Sequence, residues 1–169
     1  IMGWTFNPMP TPELAKLCKD VGLVAMEGVS RNHYPLVREL GMDISLVGSH
    51  SFKKGPVDPS NHEECVKKLT DAIEFCADAG YKRVITFTGM KAEEIDDTQA
   101  EKNCIKIWKK VLPLAEKNKV TLCLEHLNSR DDTHPMKGHP GYFGDDVDHC
   151  VKMIEKVGSP SFKLLFDVY

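Results

Sequence analysis

Val120-Thr121-Leu122-Cys123-Leu124-Glu125 and Phe162-Lys163-Leu164-Leu165-Phe166-Asp167 are the stretches that decide the fold. Each is a short, almost continuously apolar run that ends on a carboxylate. A strand of a half-solvated antiparallel sheet alternates apolar and polar residues, whereas a parallel strand covered by helices is apolar nearly throughout. Both runs therefore read as strands of a parallel sheet, over 120–124 and 162–166. Successive side chains point to opposite faces, so the apolar residues divide between sheet interior and helix layer. Glu125 and Asp167 follow the same ends of their strands and are expected to project from one rim.

The segment between the two runs begins with an irregular loop, His126 to Gly144, holding two Pro and three Gly. That is too long for a plain connector, and loops of this kind commonly serve a site. Asp145 and Asp146 then open a helix with Val147, Cys150, Val151 and Ile154 on one face and Gly158 as its stop. The same rhythm extends upstream. Further strands are expected at Ile1–Phe6, Leu23–Glu27, Asp43–Val47 and Val84–Phe87. Helices are expected from Thr11 to Asp20, with Pro12 at its first position, and from Pro35 to Leu40. A third begins at Ser60 or Asn61 and ends before Gly80. A fourth begins at Asp97 or Thr98, with Cys104, Ile105, Trp108, Val111 and Leu112 inward and Pro113 as a point of kinking.

Six strands alternating with five helical connections imply an α/β fold with a helix-covered parallel sheet. An open doubly wound sheet commonly carries a glycine fingerprint after an early strand, and this sequence has none. In a TIM (β/α)8 barrel, functional residues collect at the C-terminal ends of several strands, which is the pattern at His50, Thr88, Glu125 and Asp167. Such a barrel has eight strands in about 250 residues. The expectation is a single barrel domain over 1–169, incomplete here and cut before strands seven and eight.

Composition narrows the function. With 41% hydrophobic and 28% charged residues the chain has enough apolar content for one core. A net charge of −3 weighs against nucleic acid or an anionic membrane as partner and favours a small-molecule substrate, with a homo-oligomer left open. No run reaches the roughly 20 apolar residues of a membrane span. The six cysteines form no C-x-x-C pair, and most fall on apolar helix stripes, so buried reduced thiols and a cytoplasmic location are expected. A targeting peptide upstream of Ile1 is left open.

Three segments carry a family resemblance: Leu122-Cys123-Leu124-Glu125-His126-Leu127-Asn128-Ser129, His139-Pro140-Gly141-Tyr142, and the run from Val157 to Tyr169. They resemble hydroxypyruvate isomerase and its relatives in the xylose-isomerase-like barrel superfamily. Gly3-Trp4-Thr5-Phe6-Asn7-Pro8-Met9-Pro10 and Ile85-Thr86-Phe87-Thr88-Gly89-Met90 are similar too. The resemblance implies a divalent cation, Mg2+ or Mn2+, on four ligands at successive strand ends. Glu125 and Asp167 match two of them. The other two, usually a glutamine or histidine and a second glutamate, come from strands seven and eight.

The implied reaction is aldose–ketose isomerisation through an enediolate, with two glutamates moving the proton and Glu125 as one of them. Contact with a cation lowers a carboxylate's basicity, which would make the partner glutamate the stronger base; the sequence leaves the assignment open. His50, Asn128 and His139 are expected to bind substrate. Arg130 and Lys137 in the long loop would suit a carboxylated one. His126 should point away from the barrel axis, and Trp4 and Phe6 should form barrel core or pocket wall. A ketose 3-epimerase uses the same metal and glutamate pair. A zinc-dependent abasic-site endonuclease would need histidines at many strand ends and a basic groove, whereas an inactive fragment would need neither.

Overall fold

A computed structural model describes residues 1–133 and 138–168, so Lys137 lies outside the described residues. The chain runs α1 (Thr11–Asp20), β1 (Ala25–Met26), α2 (Tyr34–Glu39), β2 (Asp43–Ile44), α3 (His62–Ala79), β3 (Arg83–Thr86), α4 (Asp97–Lys117), β4 (Thr121–Glu125), α5 (Val147–Val157) and β5 (Phe162–Leu165). Short 3-10 turns at Arg31–His33 and Pro59–Asn61 lead into α2 and α3.

All strand pairs are parallel and sequential. β1 pairs with β2. β3, β4 and β5 pair in register from Arg83↔Thr121 to Thr86↔Leu124 and from Leu122↔Phe162 to Glu125↔Leu165. A single bridge, Val47↔Val84, joins the two sets, and Met2↔Glu27 adds the N-terminal segment at the edge. The result is the expected α/β fragment of a barrel, with helices on one face.

The expected first strand is a correction. Only Met2 pairs, because turns follow at once: Thr5 N donates to Met2 O, Asn7 N to Trp4 O and Met9 N to Phe6 O. Without a pleat, alternate side chains cannot be driven inward. Trp4 and Phe6 are accordingly 42% and 49% exposed rather than core or pocket wall.

The helices begin and end where side-chain chemistry directs. Asp96 accepts from Gln99 N and Asp146 from His149 N, each capping free amides at a helix start. Gly80 and Gly158 end α3 and α5 in the left-handed region, at φ 78° and 74°, where a Cβ is strained. Pro113 does not break α4; it lies on the exposed side, where water can take the carbonyl bond it cannot make.

Alternation within the strands divides the molecule. Val84, Leu122, Leu124 and Phe162 face the helices and are fully buried, with Trp108 of α4 packed 4.9 Å from the Phe162 ring. Side chains of this size each contribute about 1.5–3 kcal/mol on burial. The opposite set, Glu27, Ser45, Arg83, Thr121, Cys123, Lys163 and Leu165, lines a cavity of about 520 Å³ on the inner face. All six cysteines are buried and free.

Candidate functional site at the carboxyl rim

Glu125 ends β4 on the same side of the sheet as Thr121 and Cys123, and it is 8% exposed. Its register partner is Leu165, and Asp167, two residues beyond that strand end, lies close enough for its charge to act on Glu125. Burial, then the charges of Asp167 and Glu27, push the Glu125 carboxyl up to about 7. A carboxyl balanced near neutrality can take up or release a proton there, as acid–base catalysis requires.

Glu27 is a carboxylate that sequence reasoning missed. It follows β1 directly, and Ser45 Oγ donates to its Oε2 at 2.7 Å. The signal was present: Val24-Ala25-Met26-Glu27 repeats, in shorter form, the apolar run ending on an acid seen at Glu125 and Asp167.

Three loops are stitched together behind Glu125. Tyr142, fully buried, donates its hydroxyl to the Glu125 carbonyl at 2.8 Å and accepts from Thr88 N at 3.0 Å. Gly144 N donates to Thr88 Oγ1, and Val57 N to Thr88 O. Thiols close the same loops from the helix side: Cys65 toward Lys54 O, Cys104 toward Thr88 O and Cys150 toward Gly144 O. Burial pushes the Cys65 thiol up to about 11, Cys150 to about 12 and Cys104 also upward, so all three remain protonated weak donors.

The expected substrate-binding residues fall in two places. His50 is 4% exposed, with Nε2 3.0 Å from Thr86 Oγ1 and Nδ1 3.2 Å from Ser51 O. Trp108 Nε1 donates to the same Thr86 hydroxyl, which places this bond in the sheet–helix layer. Burial lowers the His50 pKa and keeps the ring neutral.

His139 is partly buried, its ring 4.3 Å from the Phe52 ring, and Phe52 in turn lies edge-on to Phe87. Phe87 directly follows the β3 residue paired with Leu124, so this aromatic wall adjoins Glu125. Asn128 fixes the long loop, its side chain accepting from Arg130 N and its carbonyl from His139 N. His126 points away from Glu125, with Nδ1 3.4 Å from Leu165 O and its ring stacked on Phe166.

Two carboxylates at this rim, with the Asp167 charge near enough to raise the proton affinity of Glu125, suit half of a hard cation's oxygen set. Among the described residues no group of three or more His, Cys, Asp or Glu could hold a metal alone. The remaining donors would have to come from elsewhere.

The sequence profile of the xylose isomerase-like TIM barrel family matches residues 34–169, and the chain belongs to that family. No curated protein matches it. Solved structures share the fold at low identity. An AP endonuclease, family 2, from Brucella melitensis superposes with a TM-score of 0.78 at 17% identity, over 97% of this chain and 65% of that one. D-Psicose 3-epimerase from Clostridium cellulolyticum H10 gives 0.73 at 14% identity, over 97% and 61%. The IOLI protein, crystallised with a bound zinc atom, gives 0.67 at 14%, over 90% and 56%. This chain thus spans less than two thirds of the length of these structures. Among its described residues, no helix is long and apolar enough to cross a membrane.

Proposed function

We propose that the chain fills the first six strand positions of a barrel enzyme, the Met2 segment standing in the first, and that this enzyme isomerises a small hydroxy-carbonyl compound, with hydroxypyruvate and tartronate semialdehyde as the favoured pair. One observation carries this reading: Glu125, buried at the end of β4, stands within electrostatic reach of Asp167 and beside an aromatic wall. Strands seven and eight of the full-length protein would supply the two further ligands and the second glutamate. Glu125 and Asp167 would hold a divalent cation, Mg2+ or Mn2+, through their oxygens. That group would supply positive charge against the oxyanion that develops as the α-proton leaves.

The chain's own residues do the rest. Glu125 takes up or returns the proton at one of the two carbons, Tyr142 fixes its backbone, and Phe52, Phe87 and His139 wall off water on one side. The net charge of −3 supports a small-molecule substrate over nucleic acid. A ketose 3-epimerase is the second reading, supported by the psicose epimerase among the structural neighbours. Full-length protein supplied with hydroxypyruvate or D-fructose, with and without chelator, separates the two. Chelator-sensitive turnover of hydroxypyruvate supports the isomerase, C3 inversion of fructose the epimerase, and turnover of neither contradicts both.

A further inference from the structure

The register between β3 and β4 stops one step short of where their sequences would let it run. Thr121 N donates to Lys82 O, and the pairs from Arg83↔Thr121 to Thr86↔Leu124 continue that parallel ladder. Stepping upward by two residues on each strand, the next rung would pass from the Thr88 amide to the Glu125 carbonyl. It is not made directly. The Tyr142 hydroxyl occupies it, accepting from Thr88 N at 3.0 Å and donating to Glu125 O at 2.8 Å. Two bonds in series hold this amide and carbonyl further apart than the roughly 2.9 Å of a direct bond. The strands therefore diverge at the level of the site, between Phe87 and Glu125.

The wedge is firmly held. Tyr142 is fully buried, its backbone pairs with Met90 across an antiparallel bridge, and Phe143 N donates to Gly89 O. Gly144 packs directly against it: a Cβ there would stand 2.9 Å from Thr88 Cγ2 and 3.0 Å from Tyr142 Cε1. A phenol uses one donor and one acceptor here, whereas phenylalanine would leave a buried amide and a buried carbonyl without partners.

We propose that Tyr142 is a positioning residue: its hydroxyl, inserted as the last rung between β3 and β4, splays their ends and sets where the Glu125 carboxyl stands relative to Asp167. This rests on the functional reading above. In the full-length protein, Tyr142→Phe is expected to speed hydrogen exchange of the Thr88 amide by at least about tenfold, while Val84, deep in the same ladder, changes little. Mn2+ affinity should fall by about tenfold, the range seen when a residue supporting a metal ligand is lost, and kcat should fall more than KM rises.

Val111→Ala, in the buried face of α4 away from the rim, controls for destabilisation alone and should leave Mn2+ affinity and kcat within about twofold. Gly144→Ala pushes the ring off its rung while keeping the hydroxyl and serves as a second variant expected to move the same readouts the same way. Wild-type exchange at Thr88 in Tyr142→Phe, or losses no larger than those in Val111→Ala, would overturn the proposal. A wild-type protein that neither binds Mn2+ nor isomerises hydroxypyruvate would instead sink the functional reading and this role with it.

Discussion

Replacing Glu125 by glutamine should make the metal-free protein more stable at alkaline pH while destroying its activity. The Glu125 carboxyl is raised from 4.5 to about 7, first by burial and then by Asp167 and Glu27. Below pH 4.5 the group is protonated in both folded and unfolded chains and contributes no difference. Between 4.5 and 7 the unfolded chain gives up the proton and the folded one keeps it, so stability falls as pH rises, and above 7 the loss is complete.

At about 1.4 kcal/mol per pH unit this amounts to roughly 3 kcal/mol, reduced toward 2 because the rim opens to water. Glutamine is neutral throughout and escapes the loss. Urea unfolding in chelator at pH 4 and pH 8 measures it: the midpoints should coincide at pH 4. At pH 8 the variant's should lie about 1 M higher, for a slope of about 2 kcal/mol per molar. Saturating Mn2+ should reverse the order, since it stabilises only the protein that binds it. An equal or lower midpoint for Glu125→Gln at pH 8 in chelator would show that the buried Glu125 carboxylate does not cost the folded protein stability.

Two further outcomes test the surroundings of the site. Gly55→Ala should cost more than about 3 kcal/mol or prevent folding, because the added Cβ would meet Thr88 C and O and Gly89 N at 2.4 Å. Gly48→Ala, with nothing within 4 Å, should stay within about 0.5 kcal/mol in the same thermal unfolding assay. His50, whose pKa burial depresses, should cost stability as pH drops below 6.5. In a Glu125→Gln background, unfolding curves of His50 and His50→Gln should be parallel above pH 7 and diverge below 6.5, with the histidine protein losing more.

Much of this arrangement was legible in the sequence because it depends on local periodicity. The runs ending at Glu125 and Asp167 carry their parity with them, so a shared rim is expected from counting residues; the structure sets Glu125 beside Leu165 and brings the Asp167 charge within reach of it. Asp146, Gly80 and Gly158 mark helix ends by chemistry that acts within one turn. What the sequence hid is non-local. Tyr142 lies in a motif noticed for its resemblance alone, since its partners stand 54 and 17 residues away.

Glu27 was passed over because its strand has only two paired residues and gives a weak apolar run. Ile1–Phe6 misled for the opposite reason. Its composition suits a strand, but turns beginning at Met2 take up the amides of Thr5, Asn7 and Met9 instead. His50 lies three residues past the isolated Val47 bridge rather than at the end of β2, and its ring turns toward Thr86, whose hydroxyl also accepts from Trp108, a choice that no local pattern announces.

The measurement that bears most directly on the central claim is calorimetric titration of Mn2+ into the full-length protein and its Glu125→Gln and Asp167→Asn variants. The wild type should show one saturable site, weakened in each variant by at least about 100-fold, the upper end of what loss of a supporting residue costs. Unchanged Mn2+ affinity in both variants would contradict it.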